Sequence, residues 1–183
     1  MNRRIGALLA CIGLVFVVAR GSSAPFPQDK LPEPVANTFK TLFPNGEIQK
    51  LDAEEEDGVM VYDFEFKAGE REKEADIAAN GTMMESTLVI TAKDIPPAAM
   101  KSIQKSANGA KLGRLEWLET FYKTKAGKLV KLSKSEIHYA AEMWRGDQTA
   151  EVFVTPTGKV TEKPEWKAVP KAANENPGGA TGK

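Results

Sequence analysis

Two stretches of this chain match each other without a gap, and that duplication limits the possible folds more than any single motif. Val59–Ser86 (VMVYDFEFKAGEREKEADIAANGTMMES) aligns with Glu136–Lys163 (EIHYAAEMWRGDQTAEVFVTPTGKVTEK). Tyr62 falls on Tyr139, Glu65 on Glu142, Gly69 on Gly146, Glu74 on Glu151 and Gly81 on Gly158. Upstream, Leu31 and Pro32 match Ile95 and Pro96, Phe39 matches Ile103, Ile48 matches Leu112 and Leu51 matches Leu115. Self-similarity of this kind makes each copy one supersecondary unit that buries its apolar face poorly alone. The two units are therefore expected to pack together or share a sheet.

Each copy opens with a short amphipathic helix. Leu31, Val35, Phe39 and Leu42 recur at helical spacing, as do Ile95, Ala99 and Ile103. Asp94 is placed as an N-cap of the second helix, and Pro96 and Pro97 are tolerated in a first turn. Pro44-Asn45-Gly46 and Asn108-Gly109 end the helices. Strands follow: Met60, Tyr62, Phe64 and Phe66 alternate with Val61, Asp63 and Glu65, the period of a half-buried strand. In the second copy Ile137, Tyr139, Ala141 and Met143 take the inner side, with His138, Ala140, Glu142 and Trp144 opposite. Strands near Glu74–Ala78 and Glu151–Thr155 lead into Ala79-Asn80-Gly81 and Pro156-Thr157-Gly158, which are hairpin signals. Return strands are expected near Thr82–Ile90 and Lys159–Lys163, with a further strand at Leu112–Tyr122. The alignment offset grows from 64 to 77 between helix and hairpin, so the second copy carries 13 extra residues around Lys123–Ser135. These form a basic hairpin extension with Lys123, Lys125, Lys128, Lys131 and Lys134.

The expected class is α+β: two tandem helix-plus-antiparallel-sheet repeats, at 25–91 and 92–166, each with its helix packed on one sheet face. Residues 1–24 read as a secretory signal, with Arg3 and Arg4 before the apolar run Ile5–Ala19. That run is shorter than the roughly 20 residues needed to cross a bilayer, so no stable span is expected after its removal. Residues 167–183 read as a disordered tail. Losing the leader takes away three of the 25 basic residues and none of the 25 acidic ones, a net of −3. No concentrated basic face points to nucleic acid. Cys11 is the only cysteine, so the exported chain relies on packing rather than disulfides.

Several motifs together resemble a known family. They are the helix start Asp94-Ile-Pro-Pro-Ala98, the paired Tyr62…Glu65 and Tyr139…Glu142, and the strand Glu151–Val160 with its Gly-Lys-Val ending. In this order and repetition the chain is similar to the PepSY-like, β-lactamase-inhibitor-like proteins over about residues 29 to 166, in two copies. The first copy departs from the pattern at Ala75, Ala78 and Ala79. The resemblance implies an exported bacterial protein, periplasmic or secreted, that binds protein or restrains a peptidase. It brings no catalytic motif and no cofactor, and a shared fold does not carry function with it.

The residues themselves do not assemble a catalytic set. His138 is the sole histidine, sits on a strand, and has no Gly-x-Ser-x-Gly elbow to present a serine to it. Asp63, Glu65 and Glu142 line the open sheet side, where solubilising the surface competes with acid–base work. Asp52–Asp57 concentrates five acids in six residues and reads as an acidic loop. It lacks the spaced ligands of a calcium loop, so no metal ligand is assigned, and a cation or small-ligand sensor stays as the alternative. Trp144 lies on the polar side of its strand, where it either anchors a partner or packs against the other repeat, and it is the leading anchor candidate. Trp117, Phe121, Tyr62 and Tyr139 read as core, and Trp166 as a staple for the tail. The expected function is thus a non-enzymatic binding protein for a protein or peptide of the cell envelope. Trp144, Glu142, His138, Asp63 and Glu65 form its candidate contact surface.

Overall fold

A computed structural model describes residues 31–169; the expected leader and most of the tail lie outside them. The chain runs α1 (Glu33–Leu42), β1 (Gly46–Glu56), β2 (Val59–Ala68), β3 (Arg71–Ala78), β4 (Met83–Val89), then α2 (Pro97–Ala107). It continues with β5 (Lys111–Lys125), β6 (Lys128–Arg145), β7 (Gln148–Val154), β8 (Val160–Glu162) and β9 (Lys167–Ala168). The nine strands among the described residues join one antiparallel sheet in the order β1 to β8, with β9 pairing β7. Lys167 and Ala168, expected in the tail, are thus part of the sheet.

The register decides which residues share a face, because directly opposed residues of an antiparallel pair project to the same side. Phe64 opposes Ala75, and Ala75 opposes Ser86. Two residues on, Leu88 opposes Trp117, Trp117 opposes Tyr139 and Tyr139 opposes Val154. One apolar side therefore runs unbroken across the seam between β4 and β5, and both helices lie on it. Val35 and Phe39 of α1 are buried with Leu51, Phe64, Phe66, Ala75 and Ile77. Phe39 stacks on Phe64 at 4.5 Å between ring centroids and meets Phe66 edge-on at 5.0 Å. Ala99, Ile103 and Ala107 of α2 are buried with Tyr139, Ala141, Met143, Val152 and Val154. Trp117, Ile137 and Trp166 pack at the edge of that cluster. Full burial of a side chain such as Phe64 contributes about 2–3 kcal/mol.

Some local expectations are corrected. Leu42 is 49% exposed, because α1 ends there and Phe43 turns in against Phe39 and Phe66 instead. Asp94 does not cap α2, whose N-cap is Pro96. Its carboxylate accepts from Thr91 N and Oγ1 at 2.9 and 2.8 Å and closes the 3₁₀ turn Ala92–Asp94. The acidic run is not a loop. Asp52 to Glu56 belong to β1, and only Asp57 enters the turn. Asp57 and Gly58, at φ 50° and 85°, form a two-residue turn with both φ positive, which suits the twist of the flanking strands.

Each helix is tied to a hairpin turn by the same device. The Thr38 hydroxyl donates to the Gly81 carbonyl at 2.8 Å, and the Ser102 hydroxyl donates to that of Gly158 at 2.7 Å. Gly158 has φ 83°, and a Cβ there would lie 2.5 Å from the Ala98 carbonyl oxygen. Gly109 has the same φ with nothing within 4 Å. The left-handed region costs an L-residue about 1–2 kcal/mol. Gly109→Ala should cost about that amount in urea unfolding, and Gly158→Ala clearly more, since the helix must also move. Equal losses would mean that the close approach of α2 to this turn is absent.

Candidate functional site

The sheet side opposite the helices carries the candidate residues. Asp63, Glu65, His138, Glu142 and Trp144 all project there, as the strand alternation predicts. The structure adds neighbours that alternation within single strands does not reveal. Asp52 opposes Asp63, Asp63 opposes Asp76, and Asp76 opposes Glu85. Four acids on four adjacent strands thus stand in one cross-strand row, which Glu85 continues to Thr120 and Glu136. A second row runs Lys50, Glu65, Glu74, Thr87, Leu118, His138. Further along the sheet, Glu142 opposes Glu151.

Few cations balance these acids. Lys50 pairs with Asp52 and with Glu65, the latter at 3.1 Å. Arg114 reaches across β4 to Glu74 and also pairs with Glu116. Lys123 pairs with Glu136 at 2.7 Å. Ser135 Oγ donates to Glu119 at 2.6 Å on the other side of the same hairpin, and Thr120 Oγ1 donates to Glu85. The Asp63 Oδ1 atom is buried without a hydrogen-bond partner.

This face is not uncovered along its whole length. The extension at the ends of β5 and β6 folds back across it. Val61, Ala78 and Met84, on the side away from α1, are buried with Tyr122 and Leu129 of the extension against them. At the tip, Gly127 N donates to Asp57 O at 2.7 Å and Ala126 N to Asp57 Oδ2 at 3.0 Å. The basic hairpin is therefore an arm clasped to the β1–β2 turn, and the acid row lies beside its foot. Phe121, expected in the core, falls in the irregular step between Thr120 and Tyr122 and belongs to no core cluster.

Partial enclosure and mutual repulsion shift the acids. Burial, then Glu74 and Glu65, push Asp63 up to about 7. Burial, then Glu74, push Glu116 up to about 7 although Arg114 opposes the shift. Burial, then Glu116 and Glu142, push Glu151 up to about 8. Asp76 is raised well above the ordinary carboxyl range by burial and by Glu85, Asp63, Glu56 and Glu74. His138 is half-buried and its pKa is lowered, chiefly by burial.

Trp144 is half-buried and lies across Gly113 on β5, with Glu142 beside it. A Cβ at Gly113 would come within 2.5 Å of Glu142 Oε2 and 2.7 Å of Trp144 Nε1, so a larger residue there would make both side chains shift. Glu142 Oε2 also accepts weakly from Arg114 N at 3.4 Å. Trp166 stacks under the Arg145 guanidinium at 4.3 Å, fixing the chain's exit from β8. A hollow of about 340 Å³, lined by Leu31, Phe39, Lys40, Phe43 and Ile48, lies at the end of α1 and collects none of the candidate residues. Among the described residues, no group of three or more His, Cys, Asp or Glu is arranged to hold a metal ion. No described helix is long and apolar enough to cross a membrane.

With the geometry in hand, the fold can be placed. No family model and no curated protein matches the chain. Solved structures do. A protein of Bacteroides eggerthii described as a candidate periplasmic protein is 13% identical, with a TM-score of 0.53 over 79% of this chain and 93% of that one. A BLIP-like protein of Bacteroides fragilis is 16% identical, with a TM-score of 0.51 over 75% of this chain and 87% of that one. A DUF2874 family protein of Bacteroides uniformis is 15% identical, with a TM-score of 0.53 over 75% of this chain and 89% of that one. At these identities the likeness is one of fold: α+β, a large antiparallel sheet with two helices.

The raised acids have a measurable consequence. The unfolded chain releases these protons near pH 4, whereas the folded chain holds them to about pH 7–8. Their stabilising contribution is full below pH 4 and is lost as pH rises through 7–8. The melting temperature should therefore fall steadily between pH 5 and 9. Asp63→Asn should raise it at pH 8.5 and leave it nearly unchanged at pH 4.5. A melting temperature flat across this range would contradict the crowding described above.

Proposed function

We propose that this chain is an exported, non-enzymatic binding protein that holds a protein or peptide of the cell envelope against the sheet face opposite its helices. The observation that carries this reading is the face itself. Two helices cover one side of the sheet, while the other keeps Trp144 seated on Gly113 and a set of half-buried acids beside the arm. A large half-buried aromatic ringed by polar groups is the composition of an interface anchor. Trp144, Glu142, His138, Asp63 and Glu65 form the contact surface in this reading.

The same reading takes the chain as two PepSY-like copies, at 25–91 and 92–166, behind a cleaved leader at 1–24. The Thr38–Gly81 and Ser102–Gly158 hydrogen bonds support it, since they join matched positions of the aligned stretches. So do the matched sheet irregularities after Ile48 and Leu112, and at Asp76/Ile77 and Phe153/Val154. The BLIP-like and periplasmic descriptions of two structural neighbours support an exported binding role, of which restraint of a secreted peptidase is one form.

Affinity capture from an envelope extract tests the surface. The wild-type protein should retain a discrete partner, and Trp144→Ala, which empties an aromatic anchor, should lose at least ten-fold of it. Equal recovery by both proteins at equal thermal stability would discard this face.

A further inference from the structure

We propose that the arm is a strap that lifts about its foot as one piece while the sheet beneath stays folded, baring an apolar strip of Val61, Ala78 and Met84. This goes beyond the binding role and holds whether or not the face takes a partner. The first ground is the foot. Thr120 pairs with Glu136 and the next pair is Tyr122 with Lys131, so Phe121 alone stands against Leu132–Ser135. An irregularity of this kind breaks the ladder and bends the strand, which makes it a pivot. Beyond it the arm keeps a ladder of its own, Tyr122 to Lys125 against Lys128 to Lys131. It needs no backbone pairing from the rest of the sheet to stay a hairpin. Upstream, the corresponding strands β1 and β2 close directly through Asp57 and Gly58, with no counterpart of the 13 surplus residues.

The second ground is what holds the arm down. Val61, Ala78 and Met84 form a cluster of their own, covered by Tyr122, Leu129 and Val59. None of these residues belongs to the clusters under α1 and α2, so lifting the arm leaves the packing of both helices in place. At the tip, Gly127 N and Ala126 N donate to Asp57, an exposed residue, where water can replace either bond. A Cβ at Gly58 would lie 3.2 Å from Gly127 Cα, so the two turns meet backbone to backbone. The Lys123–Glu136 ion pair sits beside the pivot with both partners partly exposed, and such a pair adds little. A segment held by few buried contacts and exposed hydrogen bonds opens locally, at less cost than unfolding the whole domain. Val61 and Ala78 stand two residues along from Asp63 and Asp76, so an open strap adds an apolar strip to the face opposite the helices.

Thiol labelling tests the strap. With Cys11→Ser as background, a cysteine introduced alone is the only thiol in the chain. Ala78→Cys places it under the arm and Ala75→Cys under α1, on the same strand and at positions each 1% exposed. Each variant is treated with an excess of an aromatic disulfide reagent without denaturant, and its rate is divided by that of the same variant unfolded in urea. Ala78→Cys should react at least ten-fold faster than Ala75→Cys. Asp57→Gly keeps the positive φ and removes the side-chain acceptor at the tip, and it should widen that ratio at least three-fold. Met84→Cys, read the same way, stands in if Ala78→Cys does not fold. Equal corrected rates would mean that the arm leaves only when the sheet unfolds, and would overturn the proposal. A ratio that Asp57→Gly leaves unchanged would overturn it as well.

Discussion

Everything in this molecule depends on one antiparallel register carried through the whole sheet. Because opposed residues project to the same side, the apolar face set by Phe64 in β2 is the same face as Tyr139 in β6 and Val154 in β7. Both helices must then lie on that side. The opposite side is left with whatever occupies the alternate positions, and in β1 to β4 those are predominantly acids. The polar face thus follows directly from the way the core is built.

The arm changes what that face can do. A flat solvated sheet would hold each carboxyl near its ordinary pKa. Here the extension of β5 and β6 is clasped through Asp57, and Tyr122 and Leu129 exclude water from Val61, Ala78 and Met84 next to the acid row. Lower local polarity strengthens repulsion among the acids and raises the cost of ionising them. The strongest shifts fall on Asp63, Asp76, Glu116 and Glu151, where enclosure and neighbouring carboxylates coincide. The face is consequently crowded with carboxyls beside the arm.

Much of this was legible in the residues, and the exceptions have physical causes. Strict alternation in Met60–Phe66 put Asp63 and Glu65 opposite the helix, and the aligned stretch did the same for His138, Glu142 and Trp144. The 13 surplus residues announced a longer hairpin. Its fold-back was not legible, because it rests on Asp57 meeting Ala126 and Gly127, a contact 69 residues apart for Ala126. The acid row was hidden for a similar reason. Asp76 and Glu85 reach Asp63 through pairings that only the register across three strands supplies. Asp52–Glu56 read as a loop because a run of acids looks solvated. Pairing with β2, and burial of Leu51 under α1, override that local preference. Leu42 was placed inside by helical spacing, but α1 stops there and Phe43 turns inward in its stead.

The central claim is that the sheet face opposite the helices is a crowded, half-enclosed acidic surface. Carboxyl-carbon NMR titration of the folded protein tests it most directly, since each Asp and Glu reports its own protonation. The account predicts midpoints near 7 for Asp63 and Glu116 and near 8 for Glu151. All three titrating in the ordinary range near pH 4 would contradict it.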